Sequence, residues 1–383
     1  MFEKIGILGG GHMGSDLFGL LSKGHAVTLW ARRQEVVDEL REKHLGPLER
    51  RAAKPGDRGD AARAQLARLK LTTDLDDLAD SDLIIETVIE DVAIKVDLFK
   101  RLGPKLKPEA VITSNSSYTI PSELAPTCPH PERFAGLHFF FPSKFVPFIE
   151  IIPHPGTAPV VTDALIAFVN ALGKRPLLVG REVVAFLVNR VLGPWYTEAL
   201  HVFGEGYHKA SVIDAAIKGK LAMIGAIEGV DQIGADVMYI GEVRFPHEKR
   251  PGDTMPSILP WLMAEGRNGT KVGKGCYDYV DGKPVDVEGM PRSFPPEGDP
   301  GPYPLQDALD RMYYSVLLES YRVLTMGVGT REDIDWCLQQ VLGLKEGPFQ
   351  FSDRVGIDAV KVRLAVLQEK FGSRFNHRGL LDG

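Results

Sequence analysis

The clearest chemistry in this chain belongs to His138 and Glu150, which lie twelve positions apart. An imidazole titrates near neutral pH, so it can take a proton from a hydroxyl group, and a carboxylate can hold the ring in one tautomer. Glu150 lies in the apolar run Phe148–Ile152, where a carboxylate needs a polar partner. The pair therefore predicts a general base with an orienting carboxylate. The alternative is a core histidine beside a solvated charge at a strand end.

A glycine-rich turn near the N-terminus predicts a dinucleotide site. Gly9, Gly11 and Gly14 satisfy the G-x-G-x-x-G pattern between an apolar strand and a helix. The first glycine makes the tight turn, the second lets the pyrophosphate approach the backbone, and the third lets the helix pack on the strand. A glycine turn without a ligand is the alternative. Base and cofactor would then meet in one cleft.

The end of the second strand favours NADP over NAD. An NAD site usually has an acidic residue there to bind the ribose 2′-hydroxyl, whereas this chain has Ala31, Arg32 and Arg33. A guanidinium group suits a 2′-phosphate. The alternative is a pair of solvated surface arginines beside a tolerant NAD site.

The first ~180 residues alternate apolar strands with amphipathic helices, which predicts an α/β Rossmann-like, doubly wound sheet. The predicted strands are Ile5–Leu8, Val27–Trp30, Leu83–Glu86, Val111–Thr113, Phe134–His138 and Phe148–Ile152. Two polar helices are predicted within Glu35–Leu69, interrupted at Lys54–Asp57 and forming a helical hairpin.

The second half predicts an all-α region of two repeated helical units, starting with a long apolar helix over Val183–Phe203. Glu198–Gly206 matches Glu319–Gly327, Asp214 matches Asp335, and Asp231–Asp236 matches Asp353–Asp358. The predicted domains are residues 1–181 for cofactor and catalysis, 182–300 for the first helical unit and 301–383 for the second. Pro291–Pro304 is predicted to be a loop or linker.

Composition excludes several classes of protein. The 383 residues carry a net charge of −6 without a basic tract, so nucleic acid is not expected as a partner. No run approaches ~20 apolar residues, so no membrane span or membrane partner is expected. Three widely spaced cysteines fit a reducing cytoplasm, without a disulfide framework or metal site.

Several motifs taken together resemble the L-3-hydroxyacyl-CoA dehydrogenase family over nearly the whole chain, in its long form with two C-terminal units and without a hydratase segment. The motifs are Gly9–Gly14, Ser114–Ser117, Arg133–Phe140, Glu150, Val188–Arg190 and Lys271–Tyr279.

The resemblance implies hydride transfer between nicotinamide and C3 of a 3-hydroxyacyl-CoA, of the fatty-acid β-oxidation type. His138 would be the base and Glu150 its orienting carboxylate, while Ser117 and Asn189 would contact the substrate oxygen and the histidine. Glu90 and Lys95 would contact the cofactor, for which the family implies NAD. Subunits would pair as a homodimer, or the two internal repeats would pair with each other.

Three residues depart from the family pattern: Phe141 replaces Asn, Ala185 replaces Gly, and Ala31 replaces the acidic ribose ligand. Two other functions therefore stay open. One is a different hydroxyacid or sugar-acid dehydrogenase, since Leu29–Arg32 also resembles glycerol-3-phosphate dehydrogenases, which have a lysine-centred site. The other is a nucleotide-binding scaffold with weakened catalysis.

Overall fold

The computed structural model describes residues 2–244, 249–250 and 252–381. The chain divides into two compact units, residues 1–186 and 187–383. The finer domain boundaries predicted after residues 181 and 300 remain predictions.

The first unit is built on one eight-stranded sheet. Its strands are β1 (Lys4–Leu8), β2 (Ala26–Trp30), β3 (Leu69–Thr72), β4 (Leu83–Glu86), β5 (Val111–Ser114), β6 (Phe134–His138), β7 (Phe148–Pro153) and β8 (Arg175–Leu178). The strand order is β3-β2-β1-β4-β5-β6-β7-β8. All neighbours are parallel except β6 and β7. The predicted Rossmann-like sheet is confirmed. The two outermost strands, β3 and β8, were not predicted, because short runs such as Leu69–Thr72 carry a charge and lack a long apolar pattern.

Helices cover both faces of this sheet. They are α1 (His12–Leu21), α2 (Gln34–Leu40), α3 (Gly46–Ala52), α4 (Asp57–Leu66), α5 (Val92–Leu102), α6 (Pro121–Leu124) and α7 (Pro159–Ala171). A π-helical turn, Arg41–Leu45, joins α2 to α3, and α3 packs against α4. The polar helices predicted within Glu35–Leu69 are therefore present, with a break near the predicted position.

Apolar side chains alternate between the two faces of the sheet. Ile5 and Ile7 belong to one core, with Phe18 of α1 and Phe168 of α7. Leu8 faces the other core, which includes Phe99 of α5 and Phe134. Because both faces are buried, the parallel strands read as nearly continuous apolar runs.

The second unit is mostly helical. Its helices are α8 (Val188–Glu205), α9 (Ala210–Ile217), α10 (Ala226–Ile233), α11 (Ala235–Arg244), α12 (Leu259–Ala264), α13 (Leu305–Thr325), α14 (Arg331–Leu342), α15 (Pro348–Val355) and α16 (Ile357–Phe371). A hairpin of β9 (Tyr277–Val280) and β10 (Lys283–Asp286) was not expected in a helical region. Pro291–Pro304 contains no helix or strand, as predicted.

The prediction of a helix from Val183 was wrong at its N-terminal end. Ala185 and Phe186 have φ values of 65° and 53°, so helical geometry begins only at Val188. Left-handed backbone cannot be part of a right-handed helix. Sequence periodicity did not reveal this, since Val183–Leu187 is as apolar as the helix that follows.

The internal repeat corresponds to two sets of helices, α8–α11 and α13–α16. In the first set, Asp214 accepts hydrogen bonds from Ile227 N and Glu228 N, both at 2.9 Å. In the second, Asp335 accepts from Phe349 N at 2.9 Å and Gln350 N at 3.0 Å. Each matched aspartate therefore caps the third helix of its set.

The repeats also pair with each other, through α8 and α13. Arg190 Nε lies 2.8 Å from Glu319 Oε1, and Arg311 Nε lies 2.6 Å from Glu198 Oε1. Both the arginines and the glutamates occupy matched positions of the repeat, so the two ion pairs are reciprocal. All four side chains are buried. Burial opposes ionisation of Glu198, but Arg374 and Arg311 keep its pKa below the usual range.

The third pair of matched aspartates, Asp231 and Asp353, have different partners in the two repeats. Asp231 accepts hydrogen bonds from Cys276 N at 2.7 Å and Tyr277 N at 3.0 Å, and so holds the β9–β10 hairpin. Its counterpart Asp353 is exposed and pairs with Arg331 instead. The second repeat has no such hairpin among its described residues.

Candidate active site

His138 and Glu150 are adjacent because of the register of the sheet. They are directly opposite each other in the antiparallel pairing of β6 and β7, and His138 Nδ1 lies 2.7 Å from Glu150 Oε2. His138 is 3% exposed and Glu150 is 0% exposed. A carboxylate only accepts hydrogen bonds, so Nδ1 carries the ring proton and Nε2 presents a lone pair. This is the arrangement of a general base with an orienting carboxylate.

The second ring nitrogen of His138 faces Ser117. Ser117 Oγ lies 3.0 Å from His138 Nε2, so the hydroxyl donates to the nitrogen that would receive a proton. The rings of Phe140 and Phe186 flank the imidazole at centroid distances of 4.3 and 5.6 Å. These aromatic walls restrict water and keep the ring in one orientation.

A buried charge cluster lies beside the loop that carries Ser117. Lys95 Nζ is 3.0 and 2.9 Å from the two carboxylate oxygens of Glu86, and 3.1 Å from Glu90 Oε2. Lys95 is 1% exposed and Glu86 is 0% exposed. Glu90 Oε1 in turn accepts hydrogen bonds from Tyr118 N at 3.2 Å and Thr119 N at 3.1 Å. The cluster therefore links α5 to the loop next to Ser117.

The carboxylates of this cluster differ electrostatically. Burial raises the pKa of Glu86 despite the charge of Lys95 and a hydrogen bond from Ser114. Burial also opposes ionisation of Glu90, but Lys95 and the Ser116 hydroxyl bring its pKa below the usual value. Glu90 is thus the more strongly acidic of the two.

The glycine turn has the geometry that a dinucleotide site needs. Gly9 has φ of 117°, and a Cβ on Gly14 would lie 1.9 Å from the carbonyl oxygen of Gly9. A Cβ on Gly11 would meet no atom within 4 Å, and Gly11 caps α1 without a side-chain hydrogen bond. Space is therefore open beside Gly11 at the N-terminus of α1, where the first amides of a helix can donate hydrogen bonds to a pyrophosphate. The residues present fit a dinucleotide.

The end of β2 offers no carboxylate to this turn. Ala31 is buried, and a Cβ on Gly10 would lie 2.8 Å from Ala31 Cβ, so position 31 borders the glycine turn. Arg32 and Arg33 are both exposed. Whether either guanidinium group contacts a cofactor stays a prediction.

Three further positions singled out in the sequence lie in different parts of the structure. Asn189 lies half-buried in the first turn of α8, within the second unit, and its contact with substrate stays a prediction. Phe141 is 53% exposed, and the centroid of its ring lies 4.5 Å from the centroid of the His12 ring. Ala185 has left-handed backbone, which glycine adopts more readily than alanine; this explains the glycine of the family pattern at that position.

Sequence reasoning missed two residues that support the site. Asn115 Oδ1 accepts a hydrogen bond from Phe139 N at 2.8 Å, directly after the histidine. Glu86 anchors Lys95, as described above. The signal for Glu86 was the same as for Glu150, a carboxylate in an apolar run, here Leu83–Ile85. Asn115 had no such signal beyond its place in a serine-rich turn.

The described residues contain neither a membrane-spanning helix nor a disulfide bond. None of the helices in residues 2–244, 249–250 and 252–381 is long and apolar enough to cross a membrane. Cys128, Cys276 and Cys337 are buried, and none of them forms a disulfide bond with another described cysteine. Burial raises the pKa of Cys128 to about 12, which makes it a poor nucleophile.

A doubly wound sheet with a glycine turn and a buried histidine–carboxylate pair defines an oxidoreductase with a nicotinamide-binding domain. Comparison with known families agrees. Residues 4–183 match the NAD binding domain of 3-hydroxyacyl-CoA dehydrogenase, and residues 186–279 and 308–382 both match its C-terminal domain. The chain therefore belongs to the 3-hydroxyacyl-CoA dehydrogenase family.

Individual relatives support this membership. The chain is 33% identical over 299 residues to a 3-hydroxybutyryl-CoA dehydrogenase of Bradyrhizobium diazoefficiens, covering 74% of this chain and 98% of that one. It is 28% identical over 396 residues to the fatty acid oxidation complex subunit alpha of Shewanella oneidensis, covering 97% of this chain and 54% of that one. The crystal structure of 3-hydroxybutyryl-CoA dehydrogenase from Escherichia coli has the same fold, with a TM-score of 0.85, 23% identity, and coverage of 100% and 98% of the two chains.

Proposed function

We propose that the protein is an NAD(P)-dependent 3-hydroxyacyl-CoA dehydrogenase that interconverts a 3-hydroxyacyl-CoA and the 3-ketoacyl-CoA. The observation that carries the proposal is the contact of 2.7 Å between His138 Nδ1 and Glu150 Oε2. The pair lies at the carboxyl end of β6, a strand that runs parallel to β1, and β1 leads into the glycine turn of the same sheet. Ligands of such sheets bind at this edge.

Each residue of the site has a separate role in the proposed reaction. When bound, the nicotinamide supplies the acceptor or donor of the hydride that leaves or enters C3. In the oxidation direction, His138 Nε2 takes the proton of the C3 hydroxyl, and Glu150 stabilises the imidazolium that forms. Ser117 Oγ hydrogen-bonds to the reacting oxygen and so orients it toward Nε2. Asn189 is proposed as a second group that orients this oxygen. In the reduction direction His138 returns the proton.

The cofactor is proposed to be NADP in modest preference to NAD. The support is chemical: no carboxylate occupies position 31, and two exposed guanidinium groups follow it. A 2′-phosphate gains charge-assisted hydrogen bonds from such groups.

The test is the absorbance at 340 nm with acetoacetyl-CoA and either NADH or NADPH. We expect oxidation of the reduced cofactor by wild type. His138→Gln should lower kcat by roughly 10²–10⁴-fold while the Kd of the reduced cofactor stays the same, because only the acid–base group is removed. The matched control is His130→Gln, at a half-exposed site on the same unit.

Two results would contradict the proposal. One is the absence of turnover with both cofactors, which would favour a nucleotide-binding scaffold. The other is turnover of a free hydroxyacid in preference to its CoA thioester, which would favour a different dehydrogenase. A His138→Gln variant with the rate of wild type would refute the role of the histidine.

A further inference from the structure

Ser117, whose hydroxyl faces His138 Nε2, lies in a loop between β5 and α6, residues 115–120. The loop has no helix or strand of its own, so ladder hydrogen bonds do not fix its backbone. A displacement of about 1 Å is enough to spoil a reactive geometry. The contact of 3.0 Å between Ser117 Oγ and His138 Nε2 therefore depends on whatever anchors the loop.

The first half of the loop is anchored on Glu86. Ser114 Oγ, at the end of β5, donates a hydrogen bond to Glu86 Oε2 at 2.5 Å, and Ser116 N donates to Ser114 Oγ at 3.2 Å. Asn115 N donates to the carbonyl oxygen of Glu86 at 2.8 Å. Ser114, Ser116 and Glu86 are all buried, so water competes little for these hydrogen bonds.

The residues on either side of Ser117 are anchored on Glu90. Glu90 Oε1 accepts hydrogen bonds from Ser116 Oγ, from Tyr118 N at 3.2 Å, and from Thr119 N at 3.1 Å. Hydrogen bonds to an ionised carboxylate are stronger than those between neutral groups. One oxygen atom thus gathers donors from the residue before Ser117 and from the two residues after it.

Lys95 joins the two anchors. Its Nζ lies 2.9 Å from Glu86 Oε2 and 3.1 Å from Glu90 Oε2, and its side chain is 1% exposed. Two carboxylates this close would repel each other without a cation between them. Since Lys95 belongs to α5, the loop is fixed to a helix of the sheet through both carboxylates.

We propose that Glu90 is a positioning residue for the reaction: it fixes the backbone on both sides of Ser117 and so holds Ser117 Oγ against His138 Nε2. Lys95 and Glu86 keep Glu90 in place. The inference rests on the proposed function, which gives the serine and the histidine their roles. It differs from a cofactor contact, because the effect of Glu90 reaches the reacting oxygen through Ser117 and not through the nucleotide.

The test is a double-mutant cycle of wild type, Glu90→Ala, Ser117→Ala and the double variant. Steady-state kinetics gives kcat and KM for acetoacetyl-CoA, and titration gives the Kd of the reduced cofactor. Glu109→Ala, at an exposed position of the same unit, is the matched control. Glu90→Gln is a second, isosteric variant, which keeps an oxygen that can accept from the loop. It replaces Glu90→Ala in the cycle if that variant does not fold.

We expect Glu90→Ala to lower kcat by roughly 10²-fold, with KM and the Kd of the reduced cofactor within twofold of wild type. Glu90→Gln should lose less, because its amide oxygen still accepts hydrogen bonds. The two sites should not be additive: in a Ser117→Ala background, Glu90→Ala should lower kcat by less than about threefold, since no hydroxyl is left to misplace.

A second measurement does not depend on turnover. A hydrogen bond from Ser117 to the unprotonated Nε2 of His138 moves the nitrogen NMR resonance of that atom upfield. Glu90→Ala should move it downfield, to the position found in Ser117→Ala, and Glu109→Ala should leave it unchanged. The amides of Tyr118 and Thr119 should exchange with solvent faster in Glu90→Ala, because their acceptor is absent.

Several outcomes would overturn the inference. Losses of Glu90→Ala and Ser117→Ala that multiply in the double variant would show that Glu90 acts independently of the serine. A higher Kd of the reduced cofactor with an unchanged kcat would assign Glu90 to cofactor binding alone. Failure of the proposed function is separable: if wild type turns over no thioester, but Glu90→Ala still shifts the Nε2 resonance, the positioning role stands without the dehydrogenase. An unshifted resonance would refute the positioning role itself.

Discussion

Glu150 lies opposite His138 in the antiparallel register of β6 and β7, with Oε2 at 2.7 Å from Nδ1. The nine residues between the strands, 139–147, bring β7 back alongside β6 in the direction opposite to β6. A shift of this register by one residue would turn the glutamate to the other face of the sheet. The acid–base pair thus depends on strand pairing as much as on the two side chains.

Glu150→Gln should lower kcat by roughly 10²-fold or more, because an amide can donate to Nδ1 and leave the ring proton on Nε2. The base would then be in the wrong tautomer, and the imidazolium would lose its counter-charge. The measurement is kcat with acetoacetyl-CoA, together with its pH dependence. Glu132→Gln, at an exposed position, is the control. A rate within twofold of wild type would mean that Glu150 has only a structural role.

Lys95→Met should destabilise the protein by about 3 kcal/mol, because it leaves the buried carboxylate of Glu86 without its counter-ion. Denaturant unfolding measures the change, and Lys100→Met on the exposed side of α5 is the control. The double variant Lys95→Met with Glu86→Gln should recover part of the loss, since the fully buried carboxylate is then absent and only Glu90, whose side chain is 26% exposed, has lost its ion pair. Equal stability of Lys95→Met and Lys100→Met would contradict the role assigned to the cluster. The Kd of the reduced cofactor in the same variant tests the cofactor contact implied for Lys95.

Ala185→Gly should raise the free energy of unfolding by about 1 kcal/mol. Alanine at φ of 65° is strained relative to glycine, and relief of that strain exceeds the added entropy of the unfolded chain. Ala167→Gly, within α7, should have the opposite sign, because helical backbone does not need a glycine. Thermal or urea unfolding of both variants provides the comparison. Equal losses in both would show that position 185 is not strained.

The variant Ala31→Asp with Arg32→Gln should move cofactor preference toward NAD. A carboxylate at position 31 can bind the ribose 2′-hydroxyl and repels a 2′-phosphate, and the loss of a guanidinium group removes its attraction. A charge-assisted hydrogen bond contributes ~1.5–3 kcal/mol, so the change in relative affinity should be one to two decades. Titrations of NADH and NADPH measure it. If wild type binds NADH at least as tightly as NADPH and the variant does not change the ratio, the arginines are surface charges.

His201 should make stability depend on pH below neutrality. The ring is buried on α8, and burial lowers its pKa from 6.5 to about 4, although Glu198 acts in the opposite direction. The unfolded chain therefore binds a proton more readily than the folded one, so this contribution is present above pH 6.5 and is lost as the pH falls toward 4. At pH 5 the loss should be about 2 kcal/mol.

The comparison is with His201→Gln, which keeps a group able to donate to the Thr254 carbonyl, 3.2 Å from His201 Nε2. Urea unfolding at pH 7.5 and pH 5 should show a smaller drop for the variant than for wild type. The difference between the two proteins isolates His201 from other acidic groups that titrate in this range. Parallel curves would show that the ring is protonated in the folded state as well.

Local patterns in the sequence were sufficient to predict most strands of the sheet, the dinucleotide turn and the buried glutamate. Apolar runs with glycine punctuation identified six of the eight strands of the sheet, because a strand buried on both faces must be apolar throughout. The glycine spacing identified the dinucleotide turn, since only glycine fits the positions of Gly9 and Gly14. A carboxylate within an apolar run identified Glu150, because burial of a charge requires a partner.

Tertiary structure decided what depends on residues distant in the chain. Register placed Glu150 against Nδ1 of His138, and packing of α5 placed Lys95 between two carboxylates. The left-handed backbone at Ala185 and Phe186 ended the apolar run before α8, where periodicity had predicted helix. The reciprocal pairs Arg190–Glu319 and Arg311–Glu198 join positions more than 110 residues apart. Such contacts depend on how whole elements dock, and short-range propensity carries no information about docking.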